Sequence, residues 1–345
     1  MLLMRCGWPS VLIKINETKL QNGMKNYNLI SQNSNIMNRK QFLTLAGVSS
    51  IGLAFPVPIF SSDKDVKNKI SLAQWSMNRS FFSRKKDAHD FAFYAASLGF
   101  AGVEFVNQFY FDQLKNGTIS SKKVGSLAKT LNSRAKDNNI SNVLIMVDEE
   151  GNLADSSSTV IKRSIEQHKK WIELAAELGC QSIRVNLVGE KDPKRWINRS
   201  VEGLTGLCEF SKTMGINIIV ENHGGLSSNG SLLAQVMKKT NLDNCGTLPD
   251  FGNFCIADVW GDDGCNEWYD MYKGISELMP YAKSVSAKSY DFDDDGNETK
   301  IDYAKMINIV KQNNYNGFIG VEYEGSRLSE KDGILASKNL IQRFI

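Results

Sequence analysis

From residue 70 to residue 345 the sequence predicts a single α/β domain, a (β/α)8 TIM barrel. Three observations carry that prediction. Short β-rich runs alternate eight times with amphipathic helical stretches, the spacing expected of βα units. Several helical stretches end in Gly or Asn immediately before the next run, as the turn from helix to strand requires. The first run is followed by Gln74-Trp75-Ser76 rather than by the Gly-rich phosphate turn of an open doubly wound sheet. A barrel of about 250 residues plus a leader accounts for the chain's 345 residues.

The predicted strands are Ile70–Met77, Ala101–Val106, Val143–Val147, Ser182–Val188, Ile216–Glu221, Gly246–Asp250, Ser284–Lys288 and Gly317–Glu322. Helices end at Leu98-Gly99, Leu178-Gly179, Met214-Gly215 and Asn313–Asn316. The stretch before Leu178 places Ile161, Ile165, His168, Ile172 and Ala175 at three-to-four spacing, a face that can cover a strand. The acidic run Asp291–Asp295 reads as a short loop.

Ahead of the barrel, residues 1–36 are polar, Asn-rich and aperiodic, and read as a non-native or disordered extension, with Met37 as the translation start. Residues 37–62 read as a signal peptide. Asn38-Arg39-Lys40 leads into an uncharged apolar run too short for a stable membrane anchor, a start like a twin-arginine signal with Lys40 in place of the second Arg. Residues 63–69 form a linker, and the mature protein is expected in the periplasm or secreted.

With 41 basic and 38 acidic residues, net charge +3, no dominant field recruits nucleic acid or an anionic membrane. A neutral or weakly charged small substrate fits better, with further copies of the chain as a possible homo-oligomer. The six cysteines contain no CxxC pair, so a zinc ribbon or dense disulfide framework is excluded. They read mostly as buried thiols, with an isolated bridge among Cys245, Cys255 and Cys265 left open.

Chemistry in such a barrel sits where strands end. Those ends offer Gln74 and Trp75, Glu104 and Asn107, Asp148, Arg184 and Asn186, Glu221-Asn222-His223, Asp250 with Asn253, Lys288, and Glu322 with Glu324. Carboxylates of Glu221, Asp250 and Glu322 converging near the axis would repel one another unless a proton, a cation or Lys288 neutralises them. Lys288, two residues after Ser286, shares its strand face.

The segments VENHGG, LPDFGNF, VSAKSYDF and GVEYEG, in this order and spacing, resemble the last four strand ends of the xylose-isomerase-like barrels, the sugar phosphate isomerase/epimerase family. The resemblance spans roughly residues 70 to 345. It implies a divalent metal held by Glu221, Asp250 and Glu322, with Ser286 where the family has a histidine and Asn253 where it has a substrate-binding histidine. Oxygen ligands suit Mn²⁺ or Mg²⁺ better than Zn²⁺; Lys288 could replace the cation. The resemblance further implies an isomerase or epimerase moving a proton next to the carbonyl of a ketose or keto-sugar through an enediolate. Glu221 and Glu322 are then the acid/base pair and Lys288 or the metal the electrophile. Gln74, Trp75, Glu104, Arg184, Asn186, His223 and Asn253 are candidates for substrate binding. Arg327 is the one obvious phosphate ligand in the last two loops, so an unphosphorylated sugar is expected.

Each candidate has a plainer role open to it. Glu221 could belong to a buried strand-end network, Asp250 could cap a turn, Arg184 could form a structural salt bridge, and Trp75 could close the barrel mouth. His223 could be a hydrogen-bonded core residue, Glu322 and Glu324 could exchange roles, and His89 and His168 read as surface or interhelical residues. Two other functions compete: a lyase or dehydratase acting on a keto-polyol, and a carbohydrate-binding barrel without turnover.

Overall fold

Eight parallel strands, all short, build the centre of the molecule: β1 Ile70–Ala73, β2 Gly102–Val106, β3 Ser141–Met146, β4 Ser182–Val185, β5 Asn217–Glu221, β6 Cys245–Leu248, β7 Val285–Ser289 and β8 Ile319–Tyr323. The structure, a computed structural model, describes residues 69–114, 121–257 and 264–345, all within the compact unit Ser62–Ile345. The expected extension and signal peptide lie outside the described residues. The strands follow one another around the sheet in the order β6-β5-β4-β3-β2-β1-β8-β7. The ring closes between β6 and β7 through single parallel bridges, Thr247 to Ala282 and Asp250 to Ser286.

Among the described residues eight longer helices cover the outside: α1 Phe91–Ser97, α2 Ser121–Asp137, α3 Ser158–Leu178, α4 Pro193–Lys212, α5 Gly230–Thr240, α6 Met271–Leu278, α7 Tyr303–Gln312 and α8 Glu330–Gln342. Several start on a side chain that the sequence supplies for that purpose. Asp192, Asn229, Asp270, Asp302 and Ser329 each accept a hydrogen bond from a backbone N–H of the first turn. α3 ends on Gly179, whose φ of 71° suits a residue without Cβ.

Side-chain alternation sorts each strand into an outer and an inner face. Leu72, Val103, Phe105, Ile145, Ile183, Ile218, Val220 and Val321 face the helices in the main core, while Ala73, Val106, Leu144, Met146, Ile219 and Leu248 pack inside the barrel. The same parity turns Glu104, Arg184, Glu221, Ser286, Lys288 and Glu322 inward, and all six are buried.

The strands fall within one to three residues of the predicted runs at most ends, and the exceptions have physical causes. β1 stops at Ala73 rather than Met77, because Gln74–Met77 coils into a 3-10 turn. β4 stops at Val185 rather than Val188. β6 stops at Leu248 because Pro249 has no N–H for the ladder; its carbonyl still accepts from Ser286 N at 3.0 Å.

Cys255 and Cys265 form a disulfide; among the described residues Cys180, Cys208 and Cys245 are free thiols, the first two buried. His168, expected at a surface or between helices, is buried: its Nδ1 bonds the Ser164 carbonyl at 2.7 Å, and burial lowers its pKa to about 4, keeping it neutral.

Candidate active site

Glu221, Asp250 and Glu322, from the ends of β5, β6 and β8, each bring a carboxylate oxygen to within 4.8 Å of the other two. All three are buried. Strand parity delivers Glu221 and Glu322, and the closing bridge to β7 delivers Asp250. Asn222 fixes the Asp250 backbone, donating to its carbonyl at 2.9 Å and accepting from its N–H at 2.8 Å. Asp250 Oδ1 then accepts from the N–H groups of Gly252 and Asn253 at 2.9 and 2.8 Å. The turn role and the site role of Asp250 therefore coexist, one on each carboxylate oxygen.

Two buried cations face this cluster. Lys288 Nζ lies 3.2 Å from Glu322, 3.2 Å from Glu324 and 3.7 Å from Asp250. Arg184 Nη1 lies 2.6 Å from Asp148 and its Nε lies 2.8 Å from Glu221 Oε2. The Nε–Oε2 approach is off the hydrogen-bond line, so it acts as a charge contact and leaves both atoms without an aligned partner. Burial alone would discharge Lys288, but Asp250, Glu322 and Glu324 hold its pKa well above the ordinary value, so it remains an ammonium.

The carboxyl groups respond unequally. Burial raises Glu221 to about 7 against the pull of Arg184, and raises Asp250 to about 7 against the pull of Lys288. Burial also penalises charge on Glu322, but Lys288 and Arg184 outweigh it and keep that carboxyl below its usual range. Asp148 is likewise held low: burial opposes its charge and Arg184 wins. Five carboxyl groups, those of Asp148, Glu221, Asp250, Glu322 and Glu324, thus share two cations. The remainder must be met by protons or by a further cation.

The chemistry of the donor set fits a hard divalent ion. Three carboxylate oxygens within 4.8 Å of one another could close on one centre, with small side-chain shifts, at the distances of about 2.0–2.6 Å typical of Mg²⁺ or Ca²⁺ oxygen ligation. Ser286 Oγ adds a fourth oxygen, 2.6 Å from Asp250 Oδ2 and 2.9 Å from Glu322 Oε2. One hydroxyl hydrogen cannot serve both acceptors. Ser286 therefore marks a spot where a proton or cation is short, on the strand position where the resembled family has a histidine.

A cavity of about 1000 Å³ opens above the cluster at the C-terminal ends of the strands. Trp75, Arg184, Asn186, His223, Asn253 and Glu322, all proposed from the sequence, line it. Burial lowers the pKa of His223, favouring the neutral ring. Glu221, Asp250 and Lys288 sit just beneath the wall, with Asn253 Nδ2 donating to Glu221 Oε1 at 3.0 Å. Arg184 takes up the structural ion pair considered above while also bordering the cavity.

Two sequence candidates are placed elsewhere. Gln74 turns away from the cavity: its Oε1 accepts from Val106 N at 2.9 Å and its Nε2 donates to Tyr110 Oη at 2.9 Å. This follows from β1 ending early. Glu104 lies in the barrel interior, accepting from Ser71 Oγ at 2.6 Å and filling the space left by Gly320, where a Cβ would come within 2.4 Å of it. Burial raises its pKa to about 8, so it is a neutral acid at pH 7. Conversely, the cavity includes Gln108, Glu149, Trp268, Tyr290 and Lys300, which sequence reasoning missed. Trp268 stands far along the β6–α6 loop, tied back by a bridge to Cys255; the spacing of the two cysteines was the available signal.

Residues 93–344 match the family model for the xylose isomerase-like TIM barrel. The fold resembles that of the E. coli 3-keto-D-glucoside 4-epimerase YcjR, with TM-score 0.58, 13% identity, and coverage of 80% of this chain and 100% of that one. It also resembles a sugar phosphate isomerase/epimerase from Parabacteroides distasonis, with TM-score 0.58, 13% identity, and coverage of 84% and 100%. A third likeness is the IOLI protein with a bound zinc atom, with TM-score 0.58, 13% identity, and coverage of 81% and 99%. Comparison with curated proteins returns no match. The match over most of the barrel, together with the carboxylate geometry at its strand ends, makes this chain a member of the xylose isomerase-like TIM barrel family.

Proposed function

We propose that the chain is a sugar isomerase or epimerase that moves a proton at a carbon next to the carbonyl of a ketose or keto-sugar through an enediolate. The observation that carries this reading is the convergence of Glu221, Asp250 and Glu322 on one spot beneath the cavity, with Lys288 against Glu322; burial raises Glu221 to about 7 while Lys288 and Arg184 hold Glu322 low. Environments that push two carboxyls apart are what a donor and an acceptor of one proton need. Glu322, ionised and on the cavity wall, is the base. Glu221, protonated, delivers its own proton to the opposite face once Asn253 swings off its Oε1, leaving Glu322 protonated and Glu221 ionised until both re-equilibrate with solvent. Lys288, fixed as an ammonium against Glu322, adds positive potential beneath the developing oxyanion. A divalent ion held by Glu221, Asp250 and Glu322, of the Mn²⁺ or Mg²⁺ type, would supply Lewis-acid stabilisation of that oxyanion.

The names of the structural neighbours support sugar isomerisation: a 3-keto-D-glucoside 4-epimerase, a D-psicose 3-epimerase with D-fructose, and a sugar phosphate isomerase/epimerase. Export to the periplasm or outside the cell is part of the same proposal, supported by the Cys255–Cys265 disulfide, which persists in oxidising compartments. A binding barrel without turnover is the second reading, favoured by the cover that Asn253 and Arg184 place over Glu221.

Product analysis by NMR on a panel of free and phosphorylated ketoses and keto-sugars, with and without Mn²⁺ or Mg²⁺, tests the proposal. An epimer or isomer of at least one member is the expected result. An unsaturated or dehydrated product would make the enzyme a lyase, and tight binding with no product would make it a binding protein.

A further inference from the structure

At the end of the barrel away from the cavity, two thiols from different elements meet. Cys208 lies on α4 and Cys245 opens β6, whereas Asp250 and the carboxylate cluster lie past the other end of that strand. Asn244 clips the two elements together. Its Nδ2 donates to the Cys208 carbonyl at 2.9 Å and to Ser211 Oγ at 3.1 Å, and its carbonyl lies 3.9 Å from Cys208 Sγ. Held this way, Cys208 and Cys245 are in thiol–thiol hydrogen-bonding contact. Met237 Sδ packs against Cys245 Sγ at 4.0 Å. Cys208 is buried and Cys245 is partly exposed.

The two thiols are not equivalent. The hydrogen bond from Cys208 holds the Cys245 thiol below its ordinary pKa, and the Gly246 N–H and the Lys283 charge add to that pull against burial. The same contact, together with burial, pushes Cys208 up. A partly exposed thiol eased toward the thiolate, with a buried thiol touching it, is the arrangement of an attacking and a resolving cysteine. Cys180 differs: it is buried, and burial alone pushes its thiol up.

We propose that Cys208 and Cys245 form a thiol–disulfide exchange site, which a small-molecule disulfide of the glutathione class converts into a second intrachain disulfide joining α4 to β6. The Cys245 thiolate attacks one sulfur of glutathione disulfide. That S–S bond breaks, one glutathione leaves as a thiolate, and Cys245 carries the other as a mixed disulfide. Capping Cys245 removes the negative neighbour that opposes ionisation of Cys208. Cys208 then gives its proton to the departed glutathione thiolate and attacks the Cys245 sulfur, expelling the second glutathione, which takes up the proton that Cys245 had lost. The protein gives up two electrons and two protons, and glutathione disulfide gains them as two thiols. This site stands independently of the isomerase reading.

Incubating the folded full chain with oxidised glutathione, then quenching with acid, alkylating in denaturant and mapping the peptides, tests it. The expected product is a peptide pair joined through Cys208 and Cys245, which reductant returns to two separate peptides, with Cys180 alkylated throughout. Cys208→Ser should trap one glutathione on Cys245, because nothing is left to resolve the mixed disulfide. Cys245→Ser should take up glutathione on Cys208 about tenfold more slowly, since that thiol is buried and less ionised. Circular dichroism checks that both variants fold, and the map of the native chain decides without them. The proposal is overturned if Cys208 and Cys245 both remain alkylatable after treatment, as two thiols that only pack in the core would. It is also overturned if Cys208 bridges to a cysteine other than Cys245, or if glutathione reaches Cys208 in Cys245→Ser as fast as it reaches Cys245 in Cys208→Ser.

Discussion

Strand ends β1–β4 and strand ends β5–β8 both carry polar side chains into the same barrel, but the two halves spend them differently. On the first half most groups have a protein partner, with Glu104 Oε2, Gln108 Oε1 and Arg184 Nε as exceptions. Gln74 staples β1 to the β2 loop, Asn107 donates to the Asp148 carbonyl and accepts its N–H, both at 2.9 Å, and Asp148 is paired with Arg184. On the second half Glu221, Asp250, Glu322 and Glu324 outnumber their cations, and one serine hydroxyl faces two carboxylates. A polar residue at a strand end is therefore a weak sign of function. Charge left without protein compensation is the stronger one.

The largest effect that would sharpen this contrast is on turnover. Replacing Glu322→Gln keeps the shape and removes the base, and should lower kcat by about 10²- to 10⁴-fold, measured on whichever sugar the panel identifies. A change confined to KM would move Glu322 from chemistry to binding.

Lys288→Met comes next. Removing one partner of a buried charge cluster costs about 3–5 kcal/mol, and denaturant unfolding at pH 7.5 should show a loss of that order. Adding Glu324→Gln should recover part of it by reducing the uncompensated charge. Unchanged stability in the single variant would mean the cluster is not held by Lys288.

A third test uses pH. Glu221 and Asp250 stand near 7 in the folded protein, above the ordinary carboxyl range of about 4 that the unfolded chain shows. Between those values these two carboxyls, like Glu104 at about 8, bind more protons in the folded state and add stability as pH falls from about 8 to about 5, opposed in part by His168, whose pKa is lowered to about 4. Each of the two carboxyls contributes on the order of 2–3 kcal/mol over that window. Below about pH 4 the order reverses, because Glu322 and Asp148, held low in the folded state, must then be protonated. Thermal unfolding in chelator at pH 8, 6.5 and 5 checks this, and Asp250→Asn should flatten the rise. A steady loss of stability from pH 8 to pH 5 would break the comparison.

The smallest effect belongs to the other half. Gln74→Ala should cost about 1–3 kcal/mol by leaving Val106 N unpaired and removing the donor to Tyr110 Oη, which still donates to the Ala88 carbonyl, with sugar affinity unaltered in calorimetry. Weaker sugar binding would return Gln74 to the cavity.

The sequence was most readable where strand parity decides. Glu221, Ser286, Lys288 and Glu322 face inward because each lies an even number of residues from an inward-facing neighbour, and eight alternating βα units without a Gly-rich turn after the first point to the barrel. Parity fails once a strand ends. The run Ile70–Met77 looked like one strand, yet the chain leaves the sheet at Ala73 and carries Gln74 outward. Glu104 faces inward as parity requires, but how deep it lies depends on its register against β1, where it pairs with Ala73. Trp268 and Lys300 reach the cavity from positions well beyond their strands, where no periodicity constrains a side chain. Arg184 shows a different limit: its ion pairs depend on which carboxylates surround it in three dimensions.

Proton exchange at the carbon next to the carbonyl tests the central claim most directly. With a bound ketose or keto-sugar in D2O, NMR should show deuterium entering that carbon at the rate of turnover in the native protein, and entry about 10²-fold slower or more in Glu322→Gln. Product formed without deuterium at that position, or equal deuterium entry in the variant, would contradict proton transfer by this carboxylate pair.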